Sequence, residues 1–334
     1  MKSRFAITVV LLASGIAPAQ TASPQPPAAQ QATSTATQST AQPNQAQPAA
    51  TTPATPAPNP SQPPQARTKE EYDAYKAAAA LTDPNQILAA ADQFAQKYPS
   101  SELRGMLYVQ AMGLFQQQNN ANKEIEAGRK AIAIEPTNPI PLVEVGVALV
   151  EVTHDNDLDK EQRWAEATKY LQGAIDNLNT GLHVPPNVSP EQLKQAKDNI
   201  LSAAYEFLGV IQLQKQNYAE AEADFQKAVD ASKAQPVARI YLRLSVTQDS
   251  EKKYQEALAN ANKALQYSQK GTVEQMLAQQ QQTRLQKLVG QSAAPDAASP
   301  SGPAPGAAPP TAPGTGNTPI PAGNVPPQTQ PQPH

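Results

Sequence analysis

AYEFLGVIQLQKQNYAEAEADFQKAVDASK, residues 204–233, carries the reading of the whole chain. Tyr205, Leu208 and Gly209 fall on one helical stripe, a polar break follows at Gln216 and Asn217, and Ala221, Phe225 and Ala228 recur at intervals of four and three. This spacing predicts two amphipathic helices. Gly209 and Ala221 let the two backbones approach, while Tyr205, Tyr218 and Phe225 fill the volume beside them, as a tight αα-hairpin requires. The pattern then returns. Tyr241, Leu244, Ser245, Tyr254, Ala257, Ala261 and Ala264 each lie 36 residues after Tyr205, Leu208, Gly209, Tyr218, Ala221, Phe225 and Ala228.

The order Tyr205-x2-Leu208-Gly209, then Ala221-x3-Phe225-x2-Ala228, resembles the tetratricopeptide repeat, whose pattern is W-x2-L-G-x2-Y, A-x3-F, P. Gln212 departs from the first-helix Tyr, and the closing proline is displaced to Pro236. The resemblance covers about Pro84 to Ala264 and implies an all-α fold: a superhelical solenoid of αα-hairpins whose concave face binds a peptide or a partner helix. It also implies where that face lies, at positions six and three before the glycine position and one and four after it. Aligned on Gly146 these are Ile140, Val143, Val147 and Val150; on Gly209, Ala203, Glu206, Val210 and Leu213; on Ser245, Arg239, Leu242, Val246 and Asp249. Most are apolar, which suits an amphipathic helix or an extended apolar segment. The Lys and Asn cluster with which similar proteins clamp an acidic C-terminus is missing. The alternative is that the long helix from Pro190, or the insertion at His154, folds over these residues and makes them core.

The remaining units follow from caps. Thr68 with Glu71 has capping-box spacing, and Asp83-Pro84-Asn85-Gln86 supplies an N-cap, an N1 proline and an N3 Gln. A first, degenerate hairpin is therefore predicted over Thr68–Thr82 and Pro84–Tyr98. A second is predicted over Leu103–Gln118 and Asn122–Ile134, with either Met112 or Gly113 at the glycine position. In the third, LVEVGVALVEV (142–152) would be taken for a strand by its period-two, β-branched pattern. Gly146 after Val145, with Ala167, Leu171 and Ala174 at the small, large, small spacing, argues for a hairpin with an insertion near His154–Arg163. Ser189-Pro190-Glu191-Gln192 opens the fourth unit with a long helix to about Lys215. Gly271 ends the fifth, and Thr272 with Gln275 caps a last helix to Val289, with Val273, Met276, Leu277, Leu285 and Leu288 on one side. Five hairpins and a capping helix are expected over residues 68–290.

Composition sets the limits of that domain. Residues 1–19 carry Lys2 and Arg4, an apolar run from Phe5 to Ile16 and the small-x-small ending Ala17-Pro18-Ala19, the pattern of a cleaved export signal. The run is too short to span a bilayer. Residues 20–67 and 291–334 are rich in Pro, Ala and Gln or Gly, with 12 of the 34 prolines before residue 68 and 13 after residue 290. These segments are expected to be disordered. An exported bacterial protein is predicted, with the periplasm preferred over full secretion and without stable membrane insertion. Residues 68–290 hold 23 basic and 28 acidic side chains, and nothing gathers the positive charge, so no nucleic-acid partner is expected.

Catalytic chemistry finds little support. There is no Cys, and the three histidines, 154, 183 and 334, share no metal-ligand spacing. No phosphate loop and no Gly-x-Ser-x-Gly elbow occur. Asp155, Asp157, Asp159 and Glu166 echo a calcium loop, but Lys160 stands where such a loop needs Gly, and the stretch reads as a polar connection. No cofactor, metal or catalytic residue is predicted. A non-catalytic interaction scaffold of the cell envelope is the expectation. The alternative, an accessory subunit or enzyme acting on envelope polymers, has no contiguous segment left to hold a catalytic domain.

Overall fold

The computed structural model describes residues 64–185 and 187–292. Among the described residues there are eleven helices and no strand: α1 (Lys69–Ala79), α2 (Pro84–Lys97), α3 (Leu103–Gln117), α4 (Ala121–Ile134), α5 (Pro139–Val152), α6 (Lys160–Asp176), α7 (Pro190–Gln214), α8 (Tyr218–Ala231), α9 (Ala238–Ser250), α10 (Tyr254–Tyr267) and α11 (Val273–Ser292). Each packs on the next in sequence, giving five hairpins followed by α11. Beyond these neighbours, first helices touch first helices: α1 meets α3, α5 meets α7, and α9 meets α11. Second helices make no comparable contact with one another. The first helices therefore form the tighter, inner layer of an all-α solenoid.

The caps sit where their residues predict. Thr68 accepts from the Glu71 amide at 3.1 Å and Asp83 from the Gln86 amide at 2.9 Å. At Ser189 both halves of the capping box form. Three hairpin turns use the same backbone device, a left-handed residue just after the first helix: Asn119 (φ 56°), Gln216 (φ 61°) and Lys252 (φ 63°). That shared position fixes the register of the second hairpin. Asn119 lies seven residues after Met112, as Gln216 lies seven after Gly209, so Met112 holds the glycine position.

The interhelix contact in that hairpin is inverted. A Cβ on Gly209 would stand 2.9 Å from the Phe225 ring, and one on Gly146 would stand 2.7 Å from Leu171. In hairpin two the bulk is on the first helix, and a Cβ on Gly128 would stand 2.9 Å from the Met112 sulfur. One small and one large residue fill each crossing, and which helix supplies which is interchangeable. Gly113 faces open space.

The valine-rich stretch is helical. Asn138 accepts from the Ile140 amide at 3.1 Å and Pro139 occupies the first turn, so α5 starts at Pro139, ahead of the 142–152 stretch. It is buried almost all round by α4, α6 and α7, which explains why its sequence lacks a helical polar face. Between α5 and α6, Asp157 accepts from the His154 amide at 2.9 Å, Lys160 reaches the Asp155 carbonyl at 2.9 Å, and Arg163 bonds Asp159 at 2.8 Å. Trp164 is buried beneath Lys160 and Lys215. After α6 the chain presses on the α4–α5 connection: a Cβ on Gly181 would overlap the Thr137 carbonyl.

The predicted leader, the linker up to residue 63 and the tail from residue 293 lie outside the described residues. Ala66 is buried and Arg67 bonds both Glu71 and Ser100, so the folded part begins slightly before Thr68. The last helix is laid differently from the expectation. Leu285 and Ala278 are buried, whereas Val273, Met276 and Leu277 are exposed, because only one narrow stripe of α11 meets α9 and α10.

Candidate partner-binding surface

The inner layer places the twelve aligned positions in three distinct situations. On α5, Val143, Val147 and Val150 are core, and only Ile140 keeps part of its surface. These three valines were expected to line an open groove. They are buried because α7, at 25 residues, runs along α5 with its additional N-terminal turns, and Ile200, Ala203 and Phe207 of α7 join the same core cluster. The possibility that the long helix covers them is the one realised.

On α7 and α9 the strip stays partly open. Val210, Leu213 and Leu242 pack one side against the core cluster containing Phe225, Tyr241 and Leu244 and keep the other side accessible. Val246 is 39% exposed, the most open of the set. Exposure thus rises from the third hairpin to the fifth.

The polar members of the strip are all engaged, Glu206 with Arg239 and Asp249 with α11. Glu206, 1% exposed, receives Arg239 through two bonds at 2.5 and 2.6 Å and Arg243 at 2.6 Å. Burial lowers the affinity of Arg243 for its proton despite Glu206 beside it, while for Arg239 the pull of Glu206 outweighs burial and raises it. Glu151 and Glu274 add negative potential around Arg239. Arg243 also lies over the Phe207 ring at 5.2 Å. Asp249 is paired with Arg284 and accepts from Gln281 of α11 at 3.1 Å. Ionic bridges between successive first helices therefore hold α7 to α9 and α9 to α11, and the apolar side chains stand between them.

Sequence reasoning missed Arg243, Glu144 and Gln116 as members of this layer. Arg243 could have been found from its i, i+4 spacing to Arg239. Glu144 could have been found as an acid in the middle of an apolar run. Gln116 has no sequence signal, since its role depends on Glu144 lying opposite.

Among the described residues no group of three or more His, Cys, Asp or Glu is placed to hold a metal, and no helix is long and apolar enough to cross a membrane.

A family model described as tetratricopeptide repeat matches residues 202–235. No curated protein matches the chain. Several solved structures are similar in architecture. YrrB, a TPR protein with an unusual peptide-binding site, is 16% identical, with 64% of this chain and 91% of that one covered and a TM-score of 0.45. For Pseudomonas aeruginosa pilF the identity is 18%, the coverage 67% and 94%, and the TM-score 0.43. For MamA the identity is 16%, the coverage 59% and 90%, and the TM-score 0.42. The matched segment spans the C-terminal half of α7 and all of α8, so the fourth hairpin carries a tetratricopeptide repeat, and its crossing of Gly209 on Phe225 recurs in variant form in the neighbouring hairpins.

Proposed function

We propose that the chain is a non-catalytic interaction scaffold of the bacterial cell envelope that binds an apolar peptide or partner helix along α7 and α9. One observation carries the reading: Val210, Leu213, Leu242 and Val246 leave apolar surface accessible on two adjacent first helices, whereas the neighbouring ionic groups are already paired. A partner segment with apolar side chains at helical spacing gains by covering that strip and need not break the Glu206 cluster. Ile140 and Arg239 border the strip, and Glu206 supports it from beneath. The basic N-terminus and short apolar run of residues 1–19 support export, and the periplasm is the proposed compartment.

Capture from an envelope extract tests this by comparing the wild type with the double variant Val246→Asp, Leu213→Gln. The partner retained by the wild type should be lost from a variant whose melting temperature is nearly unchanged. Equal recovery on both would remove the strip from the binding surface.

A further inference from the structure

The buried apolar interior of the array is not one body. Its first part runs from Ala66 to Ile211, drawing on α1 to α7, and has no buried member from α8 to α11. A second part joins Phe225 and Val229 of α8 to Ile240, Tyr241 and Leu244 of α9, together with Ala264 and Ala278. The third is small: Ala257 and Ala261 of α10 with Leu285 of α11. Hairpin five has Ser245 and Ala261 where hairpin four has Gly209 and Phe225, so α10 offers small side chains to α11 and Leu285 supplies the bulk of that contact.

The last helix is held by little. Of its described side chains only Ala278 and Leu285 are buried, while Val273, Met276 and Leu277 are exposed. Polar ties run from Gln281 to Asp249 at 3.1 Å, from Arg284 to the same carboxylate, and from Gln282 to Asn262 at 2.7 Å. The start of the helix is capped from within. Thr272 accepts from the Gln275 amide at 3.3 Å and the Gln275 side chain accepts from the Gly271 amide at 2.8 Å, so this cap does not depend on α9 or α10. Gly271 stands just before it at φ 81° with open space around it, as a joint between two helices requires. We propose that α11 is a strap that swings away from α9 and α10 as one body, about the Gly271 joint, while α1 to α8 stay folded.

Release of α11 exposes two buried apolar side chains, whereas release of α3 would expose Leu103, Leu107, Tyr108, Val109, Met112 and Phe115 among others. Cap and joint both lie at residues 271–275, so the contacts along α11 break together and the helix does not unwind from Ser292 inward. Closure also sets the charge at the open end of the partner strip, a consequence that rests on the function proposed above. Asp249 lies about one turn after Val246 on α9 and is paired with Arg284 and Gln281 of α11. Closed, the strip ends in a neutral pair; open, it ends in a bare carboxylate that disfavours an apolar occupant.

Native-state hydrogen exchange on the full chain without any partner tests the strap, and its failure would leave the proposed strip standing. Amides from Leu277 to Leu288 should share one level of protection, about 100-fold or more below that of α3 to α7. Leu285→Ala should lower the α11 level at least about tenfold further and leave α3 to α7 unchanged. Protection in α11 equal to that of α3 to α7 would overturn the proposal, as would no protection at all or a steady decline from Leu277 to Leu288. An effect of Leu285→Ala that spares α11, or that reaches α3 to α7 equally, would overturn it too.

Discussion

Gly209 and Phe225 are in contact so close that a Cβ on the glycine would stand 2.9 Å from two ring carbons of the phenylalanine. The ring is fully buried and cannot move aside without displacing α8 from α7. Gly209→Leu should therefore destabilise the chain by about 1–3 kcal/mol as overpacking. The fifth hairpin has Ser245 and Ala261 at the equivalent positions, so Phe225→Ala should relieve much of the added cost of a Gly209→Ser change in a double-mutant cycle. Gly113→Ala is the contrast: it meets nothing within 4 Å and should stabilise by about 0.5–1 kcal/mol through helix propensity. Chemical denaturation measures all of these.

Glu206 neutralises two arginines from within the core. Glu206→Leu leaves two half-buried guanidinium groups without their main partner and should cost about 2–3 kcal/mol, less than the loss of a fully buried pair because water reaches both arginines. Arg239→Met should cost less, because Arg243 still meets the carboxylate. If Glu206→Leu melts like the wild type, the cluster contributes nothing to holding α7 on α9.

Much of this fold was legible because its repeats are local. The fixed 36-residue offset and the caps at Asp83 and Ser189 place helices from short stretches of chain. The small-on-large crossings of hairpins three and four follow in the same way. What was not legible depends on contacts between hairpins. Val143, Val147 and Val150 have the composition of a groove wall, and only the path of α7 along α5 makes them core. The inversion at Met112 and Gly128 conserves the volume of the crossing while breaking the residue pattern, so it is invisible to a motif. Glu144 stands out in the sequence as an acid inside an apolar run, but its bond from Gln116 shows only once α3 and α5 are placed together.

The two ends of the aligned strip should respond oppositely to the same substitution. Val147, in the core, should not tolerate a carboxylate, and Val147→Asp should cost at least about 3 kcal/mol or prevent folding. Val246→Asp, on the open part, should stay within about 0.5 kcal/mol of the wild type. Melting temperatures of the two single variants decide this. Similar losses in both would place Val246 in the core as well.

Asp92 links three helices, accepting from Tyr108 at 2.7 Å and from Lys130 at 2.8 and 2.9 Å. Burial tends to raise its carboxyl, but the bonds from Lys130 and Tyr108 outweigh that and hold it below its ordinary value of 3.8. Its contribution to stability is thus full above the ordinary carboxylate value and lost as pH falls through the lowered one. Asp92→Asn should flatten the acid limb of the stability profile below about pH 4 and leave the neutral-to-alkaline limb unchanged. An unaltered acid limb would show that the trio contributes no pH dependence.

The claim that α7 and α9 carry the partner is tested most directly by placing a photo-crosslinking residue in turn at Val246 and Leu242 on the inner layer, and at Gln226 and Gln172 on exposed faces of α8 and α6. The account predicts one discrete crosslinked species, common to Val246 and Leu242 and missing from Gln226 and Gln172. Crosslinks of equal yield from all four positions, or from the second helices alone, would contradict it.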